Sequence, residues 1–177
     1  MLAYLFVLLA VAVRFLVVLI APHPWAFTPV GASLLFFGAH QPRRRMWIPV
    51  LLFAGTDLAL SRFVWHYALS ADLLATFAWY AAIVWLGSLL KDRVNPLRVL
   101  SASLVMALSF FVISNFATWL VWNLYPHTLA GLMTCYTMAI PFFRNELVSD
   151  VLFSAVFFSI PALIHSLSAG RERVAAS

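Results

Sequence analysis

The sequence predicts an all-α membrane protein: a six-helix transmembrane bundle with a short second span and a partly buried, re-entrant or interfacial helix before the sixth span. Three observations lead there. Apolar runs of spanning length recur along the chain, only 10% of residues are charged against 64% hydrophobic, and the basic residues collect in alternate gaps between the runs. A soluble domain is about half apolar and about a quarter charged, so this chain lacks the polar surface to cover a globule in water. Of its 11 Lys and Arg residues, most sit at Arg43, Arg44, Arg45, Lys91, Arg93, Arg98, Arg171 and Arg173. These gaps alternate with gaps holding only Arg62 and Arg144, the pattern of basic loops kept in the cytoplasm.

Each element follows from local signals. Residues 2–21 form an apolar run long enough to cross ~30 Å of hydrocarbon. The run carries Arg14, lacks a basic n-region and has no small-residue cleavage site, so it reads as a retained span rather than a signal peptide. Pro22 and Pro24 end it. The second span, 28–40, opens at Thr28-Pro29, a capping residue followed by proline at the first helical position. The third covers 46–65, from the arginine cluster to Trp65. The fourth covers 71–90 and ends at the Lys91-Asp92-Arg93 turn. The fifth, 97–122, follows Asn95-Pro96. The sixth covers 146–167 and leads into a polar tail over 168–177, leaving 1–167 as one transmembrane domain. Residues 128–143 are apolar, but Pro141 and Arg144 interrupt them. Counting them as a crossing would move the basic tail outside, so they are read as the extra helix, which requires protein or a water-filled cavity around it.

An even number of crossings puts both termini and the loops at 41–45 and 91–96 on the cytoplasmic side of the membrane. The outer side then receives 22–27, 61–70 and 123–145. Trp25, Trp47, Trp65, Trp119, Trp122 and Tyr125 lie near span ends, as interfacial aromatics do. Gly55/Ala59 and Ala78/Ala82 have the spacing that lets membrane helices approach closely, and equally that of ordinary packing. The net charge of +5 sits in short loops, where anionic lipid headgroups, rather than nucleic acid, are the natural partner. The single cysteine, Cys135, leaves no internal disulfide and no CxxC site. Histidines 23, 40, 66 and 165 have no metal-binding spacing. No nucleophile–base motif or phosphate-binding loop is present, so neither an enzyme nor a cofactor is expected.

Polar residues inside spans carry the rest of the information. An ionisable group at the bilayer centre is costly, so it faces the bundle interior and finds a partner. Arg14, Asp57 and Asp150 fall at similar depth, which predicts an Arg14–Asp57 or Arg14–Asp150 pair, serving either helix order or a ligand. Asn115 is expected to bridge helices or hold a ligand's polar edge. His127 beside Tyr125 is a ligand contact or a solvated residue. The 16 Phe and 7 Trp residues suit a planar solute and equally the filling of a bundle.

Three segments carry a resemblance. Phe27-Thr28-Pro29-Val30-Gly31-Ala32, then Ser114-Asn115-Phe116 with Trp119, then Tyr125-Pro126-x-Thr128-x-x-Gly131-Leu132-x-x-Cys135-Tyr136 with Ala139-Ile140-Pro141-Phe142-Phe143, resemble a family of uncharacterised bacterial integral membrane proteins. Asp57 and Asp150 match acidic positions of that family. More remotely, the size, the six spans and the short second span are similar to S components of energy-coupling-factor vitamin transporters. That resemblance implies a vitamin-sized pocket enclosed by the outer loops and helix ends, and separate energising subunits. This chain departs from the pattern in its first span, where Ala3, Ala10 and Ala12 replace an A-x-x-x-A coupling motif.

The function expected is binding of a small vitamin-like or metabolite solute from the outer side, as the substrate-binding subunit of a transporter. The site expected comprises Arg14, Thr28, Asp57, Asn115, Trp119, Tyr125, His127, Tyr136 and Asp150. The alternative is a non-transporting structural or accessory subunit of a larger membrane complex.

Overall fold

A computed structural model describes residues 1–20, 27–66 and 70–175. Six α-helices follow one another: α1 (Leu2–Ile20), α2 (Val30–His40), α3 (Trp47–Ala59), α4 (Asp72–Leu89), α5 (Pro96–Val121) and α6 (Leu129–Ala175). No strand occurs among the described residues. Four helical stretches are long and apolar enough to cross a membrane: Arg43–Val64, Asp72–Leu89, Pro96–Val121 and Leu129–Ile164. The other two, α1 and α2, are shorter apolar helices.

The exposed flanks are apolar. Leu5, Leu8 and Leu16 of α1, Leu97, Leu104 and Leu108 of α5, and Val148, Leu152 and Val156 of α6 are all exposed. Continuous apolar surface on that scale is a liability in water and the normal exterior in lipid. The core forms around α2, whose residues Val30 to Ala39 are all buried. At 11 residues and ~1.5 Å per residue, this helix is a central peg rather than a full-length pillar. It packs against α1, α4 and α6, most extensively against α4. Phe36, Phe37, Leu34 and Leu35 are sealed there, and Phe6 of α1 stacks on Phe157 of α6 at 4.1 Å between ring centroids.

The closest backbone approach is where α2 meets α4. A Cβ on Gly38 would lie 2.0 Å from the Val84 carbonyl oxygen, and one on Gly87 would lie 2.2 Å from that of Leu35. Only glycine fits at that crossing. Gly55, one of the small residues expected to mark a helix contact, has nothing within 4 Å of the position a Cβ would take.

Several boundaries match the sequence expectation. The Asn95 side chain caps α5, accepting from the Arg98 N–H at 2.8 Å, with Pro96 at the first position. Asp92 closes the α4–α5 turn in the left-handed region, φ 61°, which Asp tolerates. Two expectations are corrected. Thr28 is not the cap of α2: Pro29 occupies that place without a side-chain cap bond, and the Thr28 carbonyl instead accepts from Ser149 Oγ at 2.9 Å. Residues 129–143 are not a separate helix, because α6 runs unbroken through Pro141 and Pro161 for 47 residues and takes in most of the polar tail. A proline costs one hydrogen bond and bends a helix, and the side chains on either side of Pro141 pack on α5 and keep the axis continuous. Phe111 of α5 meets Tyr136 before the proline and Phe143 after it.

The two ends of the bundle differ in charge. Arg43, Lys91 and Arg93 line one cleft, and Arg45 donates to the Tyr4 hydroxyl near the start of α1 at 3.4 Å. Away from this basic end, the end of α1 and the start of α2 enclose the candidate site.

Candidate functional site

Three polar side chains, Asp57 and Tyr80 buried and Arg14 partly so, tie α1, α3 and α4 together. Arg14 forms an ion pair with Asp57 and donates to the Tyr80 hydroxyl at 3.0 Å. Tyr80 in turn donates to the second Asp57 oxygen at 2.7 Å. Asp57 and Tyr80 are each 3% exposed. A buried ion pair holds only if its remaining hydrogen-bonding positions are filled, and Tyr80 fills one on each partner. Of the two pairings open from the sequence, the structure forms Arg14–Asp57.

Asp150 faces the same region from α6. It is 3% exposed, and its Oδ2 has no hydrogen-bond partner among the described residues. Its carboxyl fits there because residue 31 is glycine: a Cβ at that position would lie 2.7 Å from Asp150 Oδ1. That places the carboxyl at the first turn of α2, where the helix dipole favours negative charge. Glu146 is one turn earlier on the same α6 face. Ser154, one turn later, is also buried with an unpartnered hydroxyl.

Between these groups lies a cavity of about 220 Å³. Arg14, Val17 and Val18 wall it from α1, Thr28, Val30 and Gly31 from the start of α2, and Glu146 and Asp150 from α6. Trp65, Trp79, Tyr80 and Phe110 supply aromatic surface. A π-helical turn over Leu60–Val64 precedes Trp65, and such turns redirect the side chains around them. Trp79 is held by its indole N–H, which donates to Ser109 Oγ at 3.0 Å, and by Phe110 at 4.7 Å between ring centroids. Among the described residues, no three His, Cys, Asp or Glu side chains converge as a metal site.

A family model, described as a family of unknown function, DUF6580, matches residues 1–171. The chain belongs to DUF6580. No curated protein and no solved structure matches it.

The most specific motif of this DUF6580 chain builds a helix turn and lies apart from the cavity. Thr128 Oγ1 caps α6, accepting from the Gly131 N–H at 3.2 Å. Gly131 is glycine because the Pro126 carbonyl oxygen lies 2.0 Å from where its Cβ would be. That same oxygen accepts from the Trp119 indole at 3.0 Å, and the Trp119 ring meets His127 edge-on at 5.4 Å. Farther along, Cys135 Sγ reaches the Asn115 carbonyl at 3.5 Å, and the Tyr136 hydroxyl donates to the Val112 carbonyl at 2.8 Å. The Asn115 side-chain amide donates to the Phe111 carbonyl of its own helix, so its link to α6 is made by its backbone carbonyl and not by its side chain. Asn115, Trp119, Tyr125, His127 and Tyr136 do not line this cavity and lie instead on the α5–α6 hairpin. Arg14, Thr28 and Asp150 do line the cavity, with Asp57 behind Arg14. Sequence reasoning missed Trp65, Trp79, Tyr80, Phe110 and Glu146 as its walls. His23 and Trp25 lie outside the described residues.

Proposed function

We propose that this DUF6580 chain is a six-span inner-membrane protein that binds a small organic solute in the cavity between Arg14 and Asp150. Its termini and arginine-rich turns lie in the cytoplasm, and the solute enters from the outer side. The single observation that carries this reading is Asp150: a carboxyl 3% exposed, without a hydrogen-bond partner on Oδ2 among the described residues, lining a cavity walled by aromatics. Buried polar groups are almost always satisfied, so one left open at a cavity points to a partner that comes and goes. Aromatic walls with a few convergent polar groups are the usual make-up of small-molecule sites. The basic end fits the cytoplasmic side, which sets the cavity in the outer half. Movement of the solute across the membrane then falls to separate energising subunits, as with S-component-like proteins.

Mass spectrometry of small molecules released from the detergent-purified full chain tests this. A recurring organic solute at near one per chain supports it. Phospholipid alone, in repeated preparations, refutes it in favour of a structural subunit of a larger complex.

A further inference from the structure

We propose that the solute is an organic cation: a small planar molecule carrying a protonated amine or amidine, held by Asp150 and Glu146 against the rings of Trp65 and Trp79. This rests on the solute-binding reading and narrows it to one ligand class.

The charges around the cavity decide the sign. Among the described residues its only basic wall residue is Arg14, which Asp57 already neutralises and Tyr80 further occupies. Against it stand two carboxyls on one face of α6, Glu146 and Asp150, and among the described residues Asp150 Oδ2 has no hydrogen-bond partner. An anionic solute would meet these carboxyls across from an arginine whose charge is already spent. A neutral solute would leave two adjacent carboxyls that only protonation could neutralise in a low-dielectric site. A cation answers both, since it donates to Asp150 Oδ2 and separates the two acids. The aromatic walls fit the same ligand, because an ammonium or amidinium over an indole face is attracted by the ring quadrupole. Trp79 is fixed for this role by its bond to Ser109. The volume of about 220 Å³ lies below the ~300–1,000 Å³ of drug-sized sites, which limits the solute to one or two rings.

The test uses three probes sharing one ring system: tryptamine, tryptophol and indole-3-acetate, titrated calorimetrically into the purified full chain. Tryptamine is expected to bind about 10- to 100-fold tighter than tryptophol, the advantage of a charge-assisted hydrogen bond over a neutral one, with indole-3-acetate weakest. Asp150→Asn should abolish the gap between tryptamine and tryptophol, and Glu146→Gln should narrow it. The comparison among probes is made on the native chain, so it stands even if a variant folds poorly. Tryptophol or indole-3-acetate binding as tightly as tryptamine overturns the cation assignment and leaves solute binding intact. No binding by any of the three at millimolar concentration overturns both.

Discussion

Replacing Gly38 by alanine probes the packing of the central helix with a single methyl group. In the structure that methyl would sit 2.0 Å from the Val84 carbonyl oxygen and 3.0 Å from the Gly87 Cα. Ordinary contact begins near 3.4 Å, so α2 and α4 must separate by roughly 1.4 Å at their crossing, and no flexible side chain can yield instead. Overpacking of this kind costs about 1–3 kcal/mol, occasionally more. For a chain of this size each kcal/mol moves the melting temperature by roughly 2–4 °C, so Gly38→Ala should lower Tm by about 2–12 °C. Gly55→Ala is the matched control. With open space around it, it should leave Tm unchanged or raise it, because alanine is favoured over glycine in helices by up to about 1 kcal/mol. Thermal unfolding in one detergent, followed by loss of the monodisperse peak in size exclusion, measures both. Equal behaviour of the two variants would refute the close α2–α4 crossing.

The polar network gives a second contrast. Asp57→Asn leaves Arg14 buried beside an uncharged partner and should cost about 3–5 kcal/mol, whereas the apolar double variant Arg14→Met with Asp57→Leu should be markedly more stable than Asp57→Asn; the same melting assay ranks them. Gly131→Ala pushes a methyl into the Pro126 carbonyl and should raise amide exchange over 128–134 without changing tryptamine affinity. Trp119→Phe removes one hydrogen bond from that turn and should cost about 0.5–1.5 kcal/mol by melting. Gly31→Ala is different, since the methyl meets two side-chain ends, Asp150 Oδ1 and Met106 Sδ. Both can shift, so the fold should survive while calorimetric affinity for tryptamine falls at least about tenfold, as a displaced charge-assisted bond would make it.

Much of the helical order is legible in the sequence because its signals are local. Asn95-Pro96 starts a helix, Lys91-Asp92-Arg93 turns one, and buried charges in separate runs must find each other. Pro141 and Arg144 mislead for the same reason. A local rule breaks the chain there, while side chains on both sides of Pro141 pack on α5 and carry the helix through. That error hides Glu146, which reads as the first residue of a span yet lies more than four turns into α6. Tyr80 is hidden differently, since one more aromatic in an apolar run gives no sign of facing a distant carboxylate. Its hydroxyl in mid-run was the available clue, as a polar atom at that depth needs a partner. Tyr125, His127 and Trp119 attract attention as ligand residues because they cluster. Thr128 followed three residues later by Gly131 was the signal for a capped turn.

The account rests on a solute cavity reached from the side opposite the arginine-rich turns. A cysteine at position 17 on its wall, in a Cys135→Ser background, can be treated in intact cells with a membrane-impermeant thiol reagent. A cysteine at exposed position 44 serves as the opposite reference. The expected result is that Val17→Cys reacts from outside and is slowed by tryptamine, while Arg44→Cys reacts only after the membrane is opened. Reaction of Arg44→Cys in intact cells, with Val17→Cys silent, would contradict it.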